Sequence, residues 1–592
     1  MRQRRVVTAL AIPLALAFVA ASCGSDDSSS DSDTGGDTTE ATETETTDAD
    51  DGDGGDDGDE TVETVPDVDT SVVEETETAV YGGTVTIGLE ADATGLRPWE
   101  DACSSPCYNI MRSIYDPLME QTSEGDYVPF LAESIESNED FTVWTMTLRP
   151  DVTFHNGTPL TAQVIADMFP LQQVGAAGQS AITGASLASV VAIDELTVEY
   201  TTSVPNVAFP GALAAAPIGF PFDAAAAAAD SADYSINPIG TGPFTIANRD
   251  IDNETVVDRN ADYWYIDADG NQLPFLDSVS FRPIPDEGTR LDALLSGTTD
   301  VAQSLRQGTI RDARGESGIE LIEFQGNSTG GGMFNTEIAP FDDARVRTGL
   351  IYMNNQENVI EALGGAGISL PTSQFFSADS PWWSQEAEDA YKKFDFEAGK
   401  ALLQEYVDDP ARSDGKAPGD KMDVELSCPP DPTLIAAMQV AEQVWTGSEL
   451  VNVTLTQFDQ ATHINNAISD VHNAHCWRWG TENDPSVAVN PFVAPKAESI
   501  GNFTNFDDAE MQAWAAEASA TDDFETRKGL YSQIMTKINN EGLTWYSGGT
   551  AVMIAHTPGI EGFNTWTLPD GQLGAGIAPE AQTRWYQVFI TE

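Results

Sequence analysis

The chain has 592 residues, several times the usual size of one domain, so two or three lobes are expected. It carries 96 Asp and Glu against 27 Lys and Arg, which gives a formal net charge of −69. This charge argues against nucleic acid as a partner, because phosphate binding needs a basic face. It says little about a small ligand, since acidity spread over a surface usually serves solubility.

The N-terminus has the pattern of an export signal. Three arginines lie within the first five residues, and the apolar run over residues 6–19 is too short to span a bilayer comfortably. Small residues then precede Cys23, as in a bacterial lipobox, although Ala20 stands where that motif prefers Leu, Val or Ile. We expect a lipoprotein signal peptide over residues 1–23 with Cys23 as the lipid anchor. Cleavage without a lipid is the alternative.

Residues 24–80 are rich in Ser, Thr, Gly, Asp and Glu and contain no Lys or Arg. Such a composition buries too little apolar surface to fold, so a disordered acidic tether is expected. Repulsion between its like charges extends the tether. No later stretch has the pattern of a membrane span. We therefore expect the folded part to lie outside the cell, held to the outer face of the bacterial cell membrane.

The folded part opens with a predicted strand over Gly83–Leu89, in which Val85, Ile87 and Leu89 alternate along the chain. A helix is expected to begin near Pro106. A later helix is indicated by apolar residues at helical spacing that end before a glycine pair, namely Val346, Leu350 and Met353, then Gly364 and Gly365.

Strands and helices alternate between residues 424 and 479. The predicted strands are Val424–Cys428, Val451–Leu455 and Ala474–Trp479. The helix between the first two has Asp431 as its N-cap, Pro432 at its start and a buried stripe of Leu434, Ala437, Met438, Ala441 and Trp445. A second helix covers Ile464–Ile468. This β-α-β-α-β order predicts a doubly wound parallel sheet, whose ligands bind at the carboxyl ends of the strands.

Four cysteines follow Cys23, an even number in an oxidising compartment. We predict disulfides between Cys103 and Cys107 and between Cys428 and Cys476. If the strand ending at Cys428 lies between its two successors, the second pair falls on neighbouring parallel strands at a distance that suits a bridge. A metal site is the alternative use of these cysteines.

Eight short segments carry the specific patterns of the folded part. The most specific are Ile114–Glu120, Val128–Ser134 and Leu148–Ala162. The others are Gly240–Phe244, Arg259–Trp264, Leu294–Asp300, Phe334–Thr336 and Pro340–Arg347. Together they resemble the extracellular solute-binding proteins of family 5, the oligopeptide, dipeptide and nickel receptors of ABC importers, and the resemblance runs from about Tyr115 to Phe563. We interpret these motifs as parts of the scaffold. Asn355-Gln356 replaces the family's usual Asp-Arg pair, and we expect this replacement to have a structural rather than a functional meaning.

The resemblance implies an α/β, two-lobed, periplasmic-binding-protein-like fold with an extra subdomain. A ligand cleft would lie between lobes joined by crossing strands near Phe334–Asn335 and Trp545–Gly549. The lobes would cover residues 81–333 and 334–547, with the extra subdomain over about 113–235 and a return to the first lobe over 548–592. The cleft would close on the ligand, and the membrane permease would recognise the closed form.

The segment Cys476–Pro485 is the counterpart of the family's ligand segment. In peptide-binding members the first acidic residue pairs with the ligand's amino terminus, and Glu482 takes that place here. Glu is one methylene longer than the family's Asp, and one residue is missing before Asp484. The resemblance therefore does not determine the depth of the pocket. The other candidates for ligand contact are Trp477, Arg478, Trp479 and Gly480.

The same residues also have structural interpretations. On a strand, Trp477 and Trp479 share one face and Arg478 takes the other, so core packing is an equal alternative for the tryptophans. His472, His475 and Cys476 suggest a metal site, but His472 and His475 would point oppositely on a strand. No metal ligands are therefore predicted, and ordinary structural roles are expected for His155, His463 and His556.

We predict the substrate-binding component of an ABC importer, with a short peptide as its solute and a permease as its partner. The chain is expected to act as a monomer and to need no cofactor. A nickel complex, an oligosaccharide or another metabolite is an alternative ligand, and a ligand-binding sensor that docks to a membrane receptor is an alternative function. An enzyme is disfavoured because the sequence has no Gly-x-Ser-x-Gly elbow, His-Glu-x-x-His helix or phosphate-binding loop.

Overall fold

The computed structural model describes residues 79–101, 103–429, 432–479, 484–495, 502–564, 566–577 and 581–591. All of them fall within one compact unit, Glu75–Glu592. The predicted signal peptide, Cys23 and nearly all of the predicted tether lie outside the described residues. Within those ranges, no helix combines the length and the apolar character needed to cross a membrane.

The strands belong to one large sheet, one four-stranded sheet and two small pairs. In chain order the first nine are β1 (Thr84–Leu89), β2 (Met119–Gln121), β3 (Tyr127–Pro129), β4 (Ala132–Ser137), β5 (Val143–Leu148), β6 (Leu187–Ala192), β7 (Thr197–Thr202), β8 (Phe244–Asp250) and β9 (Glu254–Arg259). The others are β10 (Ser278–Pro283), β11 (Val301–Ser304), β12 (Glu320–Phe334), β13 (Met422–Cys428), β14 (Val451–Gln457), β15 (Ala474–Trp479), β16 (Thr544–His556), β17 (Ile560–Glu561) and β18 (Phe589–Ile590).

The helices cover the faces of these sheets and fill the connections. In the first half of the chain they are α1 (Ser105–Ile114), α2 (Ala162–Val174), α3 (Ala176–Gly184), α4 (Phe209–Ala212), α5 (Ala216–Gly219), α6 (Ala224–Ala229), α7 (Ser231–Tyr234), α8 (Glu287–Leu295) and α9 (Gln307–Arg314). The second half holds α10 (Ala344–Tyr352), α11 (Gln356–Ala362), α12 (Gln385–Ala390), α13 (Phe396–Val407), α14 (Pro432–Gly447), α15 (Gln460–Ile468), α16 (Pro485–Val493), α17 (Ala509–Ser519) and α18 (Phe524–Glu541).

The large sheet has ten strands in the order β14-β13-β15-β12-β16-β11-β1-β10-β9-β8. The predicted first strand is confirmed as β1, and its inward residues Val85, Ile87 and Leu89 are at most 1% exposed. The predicted helix near Pro106 is confirmed as α1, which begins at Ser105.

The predicted β-α-β-α-β segment is confirmed. β13 lies between β14 and β15 and runs parallel to both, and α14 and α15 form the connections. The expectation of a parallel sheet holds only locally, because β12 pairs antiparallel with both β15 and β16, and β11 pairs antiparallel with β16. The complete sheet is therefore mixed, as is common among large sheets.

Two main hydrophobic cores form on this framework, and β12 and β16 contribute to both of them. In β12, Phe324 packs against the first core, whereas Met333 lies in the second. In β16, Trp545 lies in the second core and Val552 in the first. The two strands thus run continuously from one core to the other. The exact lobe boundaries stay a prediction.

Several family motifs contribute to the first core, whereas Phe334–Thr336 and Pro340–Arg347 contribute Phe334, Phe341 and Val346 to the second. Asp116 accepts hydrogen bonds from the Tyr263 hydroxyl at 3.0 Å and from the Trp264 indole N–H at 2.8 Å, which ties two motifs together. A Cβ on Gly242 would lie 2.4 Å from the Ile114 carbonyl carbon, so this glycine permits the close approach of α1.

Candidate functional site

A cavity lies where β12 and β16 pass between the two cores. Its floor is the glycine-rich part of both strands, and its walls come from distant parts of the chain. The first wall consists of residues between β11 and the start of α9. The second wall consists of residues of β13, α14 and β15. The residues that represent these parts are Arg306 and Gln307 for the first wall, Leu426, Met438 and Cys476 for the second, and Gly330, Gly331, Gly548 and Gly549 for the floor.

The floor needs its glycines for different reasons. A Cβ on Gly331 would lie 2.0 Å from the Trp545 carbonyl oxygen, so only glycine allows the strands this close. Gly548 has a φ of +108°, which side chains disfavour. Gly330 is different, because a Cβ there would meet nothing nearer than Ser547 Cβ at 3.9 Å. The space above Gly330 is therefore free for a ligand.

Arg306 is the one charged side chain among the described residues that line the cavity. Its Nε lies 3.7 Å from a Glu287 oxygen and 4.0 Å from a Glu90 oxygen, so two carboxylates behind the wall hold the guanidinium. Asn354 also lines the cavity, and its amide donates to the Tyr546 carbonyl at 2.6 Å. The wall therefore offers a cation in a strongly acidic protein.

The residues that replace the family's Asp-Arg pair have structural roles, as predicted. Asn355 caps α11 by accepting from the Asn358 N–H at 3.1 Å. Gln356 donates to the Thr372 carbonyl at 2.7 Å and accepts from the Thr372 N–H at 2.8 Å. Neither residue lines the cavity.

Both predicted cysteine pairs are seen at disulfide distance. Cys103 and Cys107 bracket the start of α1 with their Cα atoms 5.3 Å apart. Cys428 and Cys476 join the parallel strands β13 and β15 with their Cα atoms 5.2 Å apart. Because Cys476 lines the cavity, the second bridge fixes one wall of it.

The two tryptophans of the predicted ligand segment pack on the second core and do not line the cavity. Trp479 is 3% exposed and its ring lies 5.1 Å from that of Phe492. Trp477 is half-buried against Phe503, with ring centroids 5.3 Å apart.

Arg478 lies on β15 between the two tryptophans. The backbone of Arg478 pairs with that of Gly330 on the cavity floor. Gly480 and Glu482 lie outside the described residues, directly after β15. The structure thus brings the start of the segment to the cavity through Cys476.

Three histidines form a buried cluster beside this segment. The His463 and His475 rings stack with centroids 3.5 Å apart and planes within 9°, and His472 lies 4.9 Å from His475. The expectation that His472 and His475 point oppositely is wrong, because β15 begins only at Ala474 and His472 lies in the loop before it. His463 joins them from α15, which packs it against His475 of β15.

Hydrogen bonds hold the cluster in place. His475 contacts the Ser427 hydroxyl through Nδ1 at 2.9 Å and the His463 carbonyl through Nε2 at 3.0 Å. Burial, with the two neighbouring imidazoles, lowers the pKa of His475 to about 2. The described part of the chain contains no group of three or more His, Cys, Asp or Glu side chains placed to hold a metal ion.

The chain matches known proteins over most of its length. The family model "Bacterial extracellular solute-binding proteins, family 5 Middle" matches residues 126–499. The dipeptide-binding protein of Escherichia coli (strain K12) is 24% identical over 488 residues, which covers 78% of this chain and 85% of that protein.

Two solved structures share the fold. The binding protein AgaA from A. tumefaciens R10, in complex with agropinic acid, is 22% identical with a TM-score of 0.72 and covers 86% of this chain and 99% of its own. DppA from Helicobacter pylori, in complex with the peptide STSA, is 18% identical with a TM-score of 0.71 and covers 87% and 99%. The family model spans more than half of the sequence, and the chain belongs to the bacterial extracellular solute-binding proteins of family 5.

Proposed function

We propose that the chain captures a short peptide in the cavity and delivers it to the permease of an ABC importer. The family consists of substrate-binding proteins of such importers, which are not enzymes. The observation that carries the proposal is the position of the cavity, whose walls come from both cores and whose floor is the two strands that connect them. A ligand bound there contacts both halves of the molecule at once.

The charges around the cavity support a zwitterionic ligand. Arg306 on one wall offers a guanidinium for a carboxylate. Glu482 follows β15 three residues after Trp479 and corresponds to the acidic residue that holds the amino terminus in peptide-binding relatives. A short peptide carries both of these charged ends. The dipeptide-binding relative and the peptide-bound structural neighbour agree with this choice.

Closure of the cavity would use the two connecting strands as a hinge. The β12–β16 ladder has register shifts between Gln325 and Thr329 and between Gly330 and Gly331. Such irregular, glycine-rich stretches bend more easily than regular ladders. Ligand contact with both walls would favour the closed form, and the permease would recognise that population.

The N-terminal segment would determine the proposed localisation of the protein. Cys23 would carry the lipid and residues 24–80 would hold the binding unit away from the membrane surface. The protein would then act as a lipid-anchored monomer on the outer face of the cell.

Thermal shifts test the ligand class. The full chain is heated with dipeptides, tripeptides and tetrapeptides, and separately with nickel complexes, oligosaccharides and polyamines, since a ligand that binds only the folded state raises the Tm. We expect saturable stabilisation by peptides. Stabilisation by another class with none by peptides would contradict the peptide proposal.

Matched variants test which residues bind the two charged ends of the peptide. Glu482→Gln and Arg306→Gln are each expected to weaken peptide binding at least tenfold, because a buried charge–charge hydrogen bond is lost, on the order of 1.5–3 kcal/mol. Glu517→Gln and Arg311→Gln change exposed residues that do not line the cavity and serve as controls. Unchanged affinity in both site variants, measured by calorimetry, would remove the charge argument.

A further inference from the structure

Two tryptophans stand apart from the other ten. In the part of the chain that the structure describes, nine tryptophan rings contact another aromatic ring, and Trp566 is fully buried beneath the Arg584 guanidinium. Trp383 and Trp514 are partly exposed and have no ring partner there. Both line the same open groove on the surface formed by α12, α17 and α18. Two indole side chains thus line one groove on the surface, and that of Trp514 also packs against the second core.

The groove is well defined. Its volume is about 820 Å³, within the ~300–1,000 Å³ typical of small-molecule sites. Trp382, next to Trp383, anchors the rim by packing its ring 4.8 Å from Phe524 and under the Arg527 guanidinium at 5.1 Å. The groove does not share any lining residue with the cavity over β12 and β16.

One face of α18 forms the floor. The lining residues recur at spacings of three and four, as one helical face requires: Glu525, Lys528, Gly529, Ser532, Gln533, Thr536, Lys537 and Asn540. Most of them end in hydroxyl, amide or charged groups. The Ser532 hydroxyl bonds the Ser384 hydroxyl across the groove at 2.6 Å, which joins α18 to α12.

Gly529 is a second sign of a built site. It lies in the interior of α18, where glycine disfavours the helix, yet a Cβ at this position would meet no atom within 4 Å. Packing therefore does not demand glycine here. Its effect is to leave room in the floor of the groove.

Charged, hydroxyl and amide groups line the groove together. The Lys537 ammonium binds Asp508 at 2.7 Å and Glu510 at 3.0 Å, and it lies 5.6 Å from the Trp514 ring centroid. The other charged lining residues are Glu386, Glu525, Lys528 and Glu541. A ligand with many hydroxyl groups suits this lining, because a hydroxyl can donate to a carboxylate and accept from an ammonium or amide group.

We propose that this groove binds a saccharide, with the apolar C–H face of a sugar ring on Trp383 or Trp514 and its hydroxyl groups on the serine and amide side chains of α18. Indole faces supply large apolar contact area, and a sugar ring presents a matching apolar face with polar edges. The groove is separate from the peptide cavity and would hold the protein to glycans outside the cell.

The test uses the full chain labelled with 5-fluorotryptophan and followed by ¹⁹F NMR. Trp383→Phe and Trp514→Phe assign the two resonances, and the probes are neutral tetrasaccharides of glucose and of N-acetylglucosamine. We expect saturable shifts of these two resonances with one tetrasaccharide. Trp383→Ala and Trp514→Ala should each weaken binding at least tenfold, and Gly529→Leu, which fills the floor, should abolish it.

Two controls separate this site from the cavity. Tyr81→Ala removes an exposed aromatic side chain that does not line the groove and should leave sugar binding unchanged. Gly330→Leu fills the peptide cavity and should also leave it unchanged. The proposal fails if neither tetrasaccharide shifts the two resonances at millimolar concentration. It also fails if Gly330→Leu abolishes the sugar response while Gly529→Leu does not, which would place the sugar in the cavity.

Discussion

At the residue scale, the buried carboxyl of Asp116 shows how the family motifs hold the first core. The residue is 2% exposed, and the hydrogen bonds from Tyr263 and Trp264 satisfy its oxygens. Burial nevertheless raises the pKa of Asp116 to about 7. The sequence indicated that these motif residues are scaffold, but their contact joins positions about 150 residues apart, which local pattern does not reveal.

The raised pKa predicts a pH dependence of stability. The folded state holds the Asp116 proton more tightly than the unfolded chain, whose Asp pKa is about 3.9, so this contribution is fully present below pH 4 and is lost as the pH rises to about 7. Asp116→Asn does not titrate. Between pH 4 and 7 the unfolding free energy of the wild type should fall relative to that of the variant, by at most ~1.4 kcal/mol per pH unit.

Urea denaturation of both proteins at pH 4, 5.5 and 7 measures this difference. Parallel profiles for the wild type and the variant would show that Asp116 does not titrate in this window.

At the element scale, the strand-helix alternation of residues 422–479 was readable from the sequence because each element buries its own apolar face. The Cys428–Cys476 pair was predicted on the supposition that the first strand lies between its two successors, and the pairing of β13 with both β14 and β15 agrees with it. The histidine cluster did not follow, because it depends on where β15 begins and on which face of α15 packs against it. The alternation of the strand was extended two residues before its true start, and this assigned His472 to the wrong side.

The cluster gives β15 an expected sensitivity to acid. Burial lowers the pKa of His475 to about 2. Between pH 6.5 and pH 2, therefore, His475 is protonated in the unfolded chain but neutral in the folded state. Stability is fully present above pH 6.5 and is lost as the pH falls, by ~1.4 kcal/mol per unit. We expect His475→Asn to lower stability at pH 7 and to flatten the slope between pH 6 and 4.

Thermal denaturation of the wild type and His475→Asn across this range provides the measurement. Ser427→Ala removes the hydroxyl partner of His475 without removing the imidazole and serves as the matched control. An unchanged slope in His475→Asn would contradict the assignment.

At the scale of the whole molecule, two cores share two continuous strands, and the cavity lies at their junction. The order of the motifs in the sequence was sufficient to predict the family and the fold. The cavity was not predictable residue by residue, because Arg306, Met438 and Gly548 are far apart in sequence and meet only through the strand order of the large sheet. Trp477 and Trp479 illustrate the limit, since a strand pattern gives a shared face but not which side meets the core.

Calorimetric titration of the full chain with its most stabilising peptide tests the central claim, that the ligand occupies the cavity over the connecting strands. The titration is repeated with Gly330→Leu, in which the side chain enters space that is free in the wild type. We predict one peptide bound per chain in the wild type and no detectable binding in Gly330→Leu, with the Tm of the free variant retained. Equal binding by the two proteins would place the ligand elsewhere and contradict the account.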